Sequence, residues 1–454
     1  SPEDQSTGNL GDAETGGSTP SLTLRRSAPP AFPGAEGFGA RAKGGRGGRV
    51  YTVTRLEDYD PTTDKPIRGS FRAAVTAEGP RTVVFAVAGD IHLKAYLEID
   101  QSFLTIAGQT APGDGICIRD QSLEIQTHDV IIRYIRSRLG DQSDGGDAIS
   151  IRRGKDIIVD HCSTSWSTDE VLSVSTGEPE LTNITVQWCF ITEALNPENH
   201  GFGSLIRGTG GARYSFHHNL YAHNRGRNPR PGNYDRNPHN EDPEGLLLDF
   251  RNNVIYNWSG GHAGYNADSK SITRMNYVGN FLIPGPDSEN TGIAYSTGSP
   301  YNKAYFHVNY YNYEKPDNQW NLVEFDEDWS QQQIEAYKQN QPFPAVSIET
   351  DEPREAFESV LAHGGASLPD RDPADARVVS DVRHRTGAII DSQNEVGGWP
   401  KLHTTPAPED SDHDGMPDSW EKQNGLDPND AADKNKTAAD GYTMLEKYLH
   451  SLVE

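Results

Sequence analysis

At 454 residues, with a formal net charge of −25 and a pI near 5.0, the chain can bury a large core and carry more than one module. The acidic balance argues against nucleic acid as a partner, because a phosphate backbone needs a basic face. Three cysteines are too few for a disulfide scaffold, and no apolar run reaches the ~18 residues of a membrane-spanning helix. Residues 1–31 are rich in Gly, Ser, Thr and Pro, and read as a flexible tail in which no secretory leader is recognised. From about residue 80 to 285, short strand-like runs recur, among them VIIRYIRSRL, IIVDHCSTSW, ITVQWCFITEAL, LLLDFRNNVIYNW and MNYVGNFLI. Aligned, the runs share a column: Ile135, Cys162, Cys189, Asn219, Asn253 and Asn280, at steps of 27, 27, 30, 34 and 27 residues.

A period of that size, with several short strands in each repeat, predicts an all-β solenoid. We therefore expect a right-handed parallel β-helix over residues 32–310. The competing fold is an all-β sandwich, whose strands would come at shorter spacing with hairpin turns, and hairpin dipeptides are scarce here. The three asparagines should stack at one bend, each amide bonding the next. Cys162 and Cys189 share that column in adjacent coils. They are either a disulfide or, the reading preferred, two buried thiols.

Two polar clusters stand out from this background. VDHCSTSWSTDE runs from Val159 to Glu170, and YSFHHNLYAHNRGRNPRP from Tyr214 to Pro231. Arg225, Arg227 and Arg230 fall within six residues around Pro229, a cationic grip for acid groups. Asp147 and Asp169 follow matching strands in neighbouring coils and are expected to share a metal, with Asp144 and Glu170 as weaker ligands. Arginines in one place and metal-holding carboxylates in another suit an anionic polymer. Each residue also has a plainer reading. Asp160 and His161 could bond turn backbone, Asp147 and Asp169 could be solvated, and one of His217 and His218 should face the core.

Past residue 286 the repeat fades. PREAFESVLAHGG (353–365) and DPADARVVSDVRHRTG read as helices, and residues 311–405 are expected to wrap the β-helix. In 406–454 there are 12 acids and 4 bases. Within that segment, DSDHDGMPDSWE (410–421) places acids at positions 1, 3, 5, 9 and 12 and glycine at 6, the EF-hand loop pattern. Asp410, Asp412, Asp414, Asp418 and Glu421 would supply oxygens to calcium, and Gly415 the sharp turn. Asp433, Asn435 and Asp440 are weaker candidates in a second acidic stretch. A small calcium-stabilised module needs millimolar calcium, which points outside the cytoplasm.

The motifs, in order, resemble the pectate lyases of polysaccharide lyase family 1. A D-A-I element stands at Asp147, Ala148 and Ile149, and V-D-H-C at Val159 to Cys162. An acidic pair follows at Asp169 and Glu170, then H-H-N at His217 to Asn219 and R-x-P-R at Arg227 to Arg230. The resemblance covers residues 32 to about 285. It implies calcium-assisted β-elimination on polygalacturonate: a calcium-bound uronate loses its C5 proton to an arginine, the oxygen at C4 leaves, and a 4,5-unsaturated uronate remains. By motif position Arg227 is the base, although a guanidinium is ordinarily a poor one. Arg230 is the neighbour that holds a substrate carboxylate.

Two departures from the family pattern matter. Pro231 and Gly232 follow R-N-P-R where the family often has a further arginine, so Arg230, Arg225 or Arg207 would serve. ENHGFGSLIRG lacks the family's lysine, so His200 or Arg207 would replace it. Arg207, Arg225 and His218 complete the expected substrate contacts. The tail is similar to dockerin or thrombospondin-type calcium repeats. Together these readings imply a calcium-dependent monomer acting on an acidic polysaccharide, secreted, on the cell surface or in a periplasm. The alternatives are a β-helix hydrolase, whose N-T-D and G-H-G elements are not found, and a non-catalytic glycan-binding β-helix.

Overall fold

The computed structural model describes residues 27–234 and 242–454; the first 26 residues of the expected tail lie outside the described residues. The chain winds as a parallel β-solenoid of about nine turns, from the strand Arg49–Val53 to the strand Val323–Phe325. Among the described residues, three long sheets run along it. The first has ten strands, Arg49–Val53 to Lys303–His307; the second has nine, Gly89–His92 to Tyr310–Tyr311; the third has six, Leu97–Ile99 to Arg230–Gly232. A three-stranded sheet takes over where the third ends. Pairing within these sheets is parallel, as coils require and hairpins forbid.

The interior is built from stacked like residues. Along the first sheet one inward column reads Val83, Ile106, Ile132, Val159, Val186, Phe216, Phe250, Tyr277 and Phe306. Its aromatic end stacks face to face, with ring centroids 5.4 Å apart for Phe250 and Tyr277 and 4.6 Å for Tyr277 and Phe306. Such pairs add about 0.5–1.5 kcal/mol each beyond the burial itself.

The asparagine column forms a hydrogen-bonded ladder. Asn219 N donates to Asn253 Oδ1 (3.0 Å), Asn253 N to Asn280 Oδ1 (2.9 Å), and Asn280 N to Asn309 Oδ1 (2.8 Å). Each Nδ2 also donates to a backbone carbonyl inside the bend, as Asn253 does to Phe216 O at 3.0 Å. Asn309 shows that the repeat continues beyond 286, where long polar loops hide it in the sequence. Asn253→Ala should strip an acceptor from Asn219 N and a donor from Phe216 O. Leaving both unsatisfied costs about 2–5 kcal/mol, to be read as a fall in Tm or in the denaturation midpoint. Cys162 and Cys189 are buried free thiols in the same column, so the disulfide alternative is set aside.

Just before this column, five consecutive coils turn through a left-handed residue: Tyr134, His161, Trp188, His218 and Asn252 all have φ between 47 and 56°. At such a corner successive side chains no longer alternate in and out. His161, Trp188 and His218 stack in a row outside the bend, with Trp188 and His218 centroids 4.4 Å apart.

Residues 31–48 precede the first coil and cross the outer face of the first sheet. Gly39 N donates to Thr185 Oγ1 (2.7 Å) and Phe38 N to Ser215 Oγ (3.0 Å). A Cβ on Gly39 would sit 2.3 Å from Ile157 O, so only glycine permits this approach. On the second sheet's outer face lie the two expected helices, Pro353–His363 and Pro373–His384. Phe357, Val360, Leu361, Val378 and Val382 bury against outward residues of the sheet such as Phe190, Val254 and Phe281. Arg138, buried, pairs with Asp372 and Asp375 to fasten the second helix. No helix among the described residues is long and apolar enough to cross a membrane.

Candidate active site

The third sheet leaves its outer face open, and the loops entering it from four consecutive coils meet at one corner. Asp147 precedes the strand Ile149–Arg153, and Asp169 and Glu170 precede Leu172–Ser175. His200 precedes Leu205–Arg207, and Arg225 and Arg227 precede Arg230–Gly232. Parallel backbone bridges from Glu170 to Phe202 and from Phe202 to Gly226 hold the last three loops in register. The coil repeat therefore brings together residues 80 positions apart in the chain (Asp147 to Arg227).

Glu170 is the hub. Its carboxylate takes the guanidinium of Arg227, and its oxygen, one from Asp169 and His200 Nε2 all lie within 4.8 Å of one another. His200 Nε2 is 2.8 Å from Asp169 Oδ1. Burial, and then the neighbouring Asp169, push the Glu170 carboxyl up to about 7, against the pull of Arg227. Asp147, 7% exposed, is raised well above the usual carboxylate range by burial first and then by Glu170 and Asp169, while Ser173 bonds it and opposes the shift. Crowded, desolvated carboxylates of this kind fit a hard divalent cation that takes oxygen ligands; the His200 nitrogen does not belong to such a donor set. Asp169 and Glu170 would hold it, with Asp147 beside them in the cleft.

Arg227 sits at a left-handed turn (φ 57°) that swings its side chain back over the corner. Its guanidinium lies 4.0 Å above the Phe202 ring, and Nε donates to the Tyr265 hydroxyl at 3.2 Å. Arg207 Nε donates to Ser175 Oγ (2.9 Å), and its guanidinium is 4.5 Å from the Tyr234 ring. Asp147, Asp169, Glu170, Ser173, Arg207 and Tyr234 line an open cleft of about 450 Å³. It is a polar groove along a sheet.

No family model matches the chain. It is 38% identical over 438 residues to "Probable pectate lyase C" of Aspergillus flavus, covering 95% of this chain and 96% of that protein. The namesake in Aspergillus terreus is 38% identical over 428 residues, covering 93% and 94%. The chain belongs to the pectate lyases. It is thus a polysaccharide lyase. Among solved structures it resembles the cedar pollen allergen jun a 1, with a TM-score of 0.53 at 18% identity over 73% of this chain and 92% of that one, a likeness of fold.

Not every expected residue of this pectate lyase reaches the cleft. His218 does not: it is buried between Trp188 and His217, with Nε2 2.9 Å from Asp351 of the C-terminal wrap. The left-handed corner turns it there, and His217 is buried as well. Asp144 does not join the carboxylates either. It lines a neighbouring groove that Asp147 also borders, and there Gln121 Nε2 donates to it at 3.2 Å. Arg230 stands one strand beyond Arg207, held by Asp268 at 3.3 Å and lying beside Tyr265. Arg225 is on the rim, donating to Asn199 Oδ1 at 3.2 Å.

Phe202, Tyr265, Ser173 and Tyr234 touch the site residues without having been singled out. Aligning GFG at 201–203 and GYN at 264–266 to the coil period would have marked the first two. In the tail, Asp410, Asp412, Asp414 and Glu421 cluster, but Asp418 does not. Its two oxygens are taken by Ser411 N (2.7 Å) and Ser411 Oγ (2.6 Å).

Proposed function

We propose that this pectate lyase cleaves polygalacturonate by calcium-assisted β-elimination in the third-sheet cleft. The observation that carries the proposal is the convergence of Asp147, Asp169, Glu170 and Arg227 from separate coils beside a groove lined by Arg207. Calcium, when bound, would draw charge from a substrate carboxylate and acidify the adjacent C5 proton. Arg227 then removes that proton. The electron pair left on C5 forms the C4–C5 double bond as the C4–O bond breaks, and the departing oxygen is protonated from water.

Glu170 is both the counter-ion of Arg227 and, in this reading, a member of the ligand set, so it couples the base to the metal position. Arg207 and Arg225 flank the corner on the groove and rim, where they would grip uronate carboxylates on either side of the scissile bond, and Arg230 extends that line. We read the enzyme as a secreted or surface-exposed monomer, in line with its need for calcium.

The test is incubation with polygalacturonate and with methylated pectin, with and without calcium, followed by ultraviolet absorbance of the unsaturated uronate. Calcium-dependent absorbance is expected. New reducing ends without that absorbance would mean a hydrolase, and binding without any cleavage would mean a glycan-binding protein.

A further inference from the structure

Five carboxylate oxygens in the C-terminal tail are buried without a hydrogen-bond partner: Asp412 Oδ2, Asp414 Oδ2, Glu421 Oε1 and Oε2, and Asp433 Oδ1. A buried, unpaired ionised carboxylate is strongly disfavoured, and five oxygens in one place call for a cation. They fall in two groups that share Asp414. Carboxylate oxygens of Asp410, Asp412 and Asp414 lie within 4.8 Å of one another, as do those of Asp414, Glu421 and Asp433. Asp414 is 1% exposed, and Glu421 and Asp433 are 0% exposed.

The remaining oxygens are used to shape the loop. Gly415 N donates to Asp410 Oδ2 (3.0 Å), Met416 N to Asp414 Oδ1 (2.9 Å) and Asp427 N to Asp433 Oδ2 (2.9 Å). In Asp414 and Asp433 one oxygen is thereby spent on the backbone and the other left over.

We infer that these residues form a structural calcium site, separate from the cleft, in which Asp433 from the second acidic stretch takes the place that the loop pattern assigns to Asp418. All donors are carboxylate oxygens, which selects calcium over metals that favour nitrogen or sulfur. The ion ties the 410–421 loop to the 427–435 stretch and so clamps the tail onto the outer face of the first sheet. One half touches that sheet's N-terminal edge strand and the other the segment leading into it. A Cβ on Gly415 would lie 3.1 Å from Val50, and Asn435 Nδ2 donates to Gly47 O at 3.3 Å. Met416, Leu445, Tyr448 and Leu449 bury against Val84 and Ala107, and Arg46 pairs with Glu446 at 2.9 Å. The inference does not rest on the reading of the cleft.

The test uses the full chain carrying Asp147→Asn and Asp169→Asn, so that the cleft's carboxylates are out of the count. After chelation and exchange into calcium, native mass spectrometry should find one ion per chain. Calcium should raise Tm by several degrees and protect residues 406–454 from protease. Adding Asp433→Asn should abolish all three effects, whereas adding Asp418→Asn should preserve them. Should Asp433→Asn fail to fold in that background, the ion count and protection of the parent decide the matter. The inference is overturned if the parent binds no calcium, or if Asp418→Asn loses the ion while Asp433→Asn keeps it.

Discussion

Arg227→Lys is expected to lose most of kcat on polygalacturonate at saturating calcium, by about 10²–10⁴-fold, the usual share of a general acid or base. Lysine keeps the charge but not the geometry. The planar fork of Arg227 meets Glu170 with one nitrogen and Tyr265 with another while its centre stays over the Phe202 ring. A flexible ammonium cannot hold all three, so the basic atom would no longer be placed over the corner. Arg230→Ala should act more on KM than on kcat, because Arg230 stands one strand away and would contribute binding common to the ground and transition states. Steady-state kinetics of both variants separates the roles. An Arg227→Ala enzyme within about tenfold of wild type would be too active to lack its base, and the role would pass to Arg225, Arg230 or His200.

Chelation should abolish turnover, and Asp169→Ala should raise the free calcium needed for half-maximal rate. Asp169 is the more exposed member of the set, so its loss should weaken the site with little damage to the fold. The same carboxylates make a prediction about stability in the absence of metal. Burial and Asp169 raise Glu170 from its ordinary 4.5 to about 7, so between those values the folded chain binds more protons than the unfolded one. Stability of the metal-free protein should therefore fall as pH rises through that window and stay lower above it. Calcium should remove most of that loss. Rates against free calcium and Tm against pH with and without metal make the measurement. Full activity in protein shown by elemental analysis to be metal-free would sink the assignment.

The coils were legible because their marker is chemical as well as periodic. An asparagine at each bend satisfies backbone that would otherwise be buried without a partner, and Asn219, Asn253 and Asn280 repeat at coil length. The layout of the candidate site was legible where a motif and its coil coincide: Asp147 and Glu170 line one cleft, and Arg227 pairs with Glu170. It was not legible where the backbone breaks its own periodicity. His218 follows His217 through a left-handed corner, so strand alternation could not say that both are buried. Asp144 is close to Asp147 in sequence, but it lines the neighbouring groove, with Gln121 as its partner, and not the main cleft. Asp433 belongs with Glu421 only because the chain turns back between them, and a linear loop pattern cannot see across that turn.

The ladder also has a consequence for how such an enzyme can be altered. Its steps are uneven, at 30 residues from Cys189 to Asn219 and 34 from Asn219 to Asn253, yet the amide bonds across them measure 2.9 and 3.0 Å. The surplus residues are taken up elsewhere in the coil, which includes the loops bearing His200 and Arg227. Rungs and loops are thus separate parts. A loop can be lengthened, shortened or exchanged between relatives while the bends keep the coils aligned, so new substrate preferences can be grafted onto this scaffold one coil at a time.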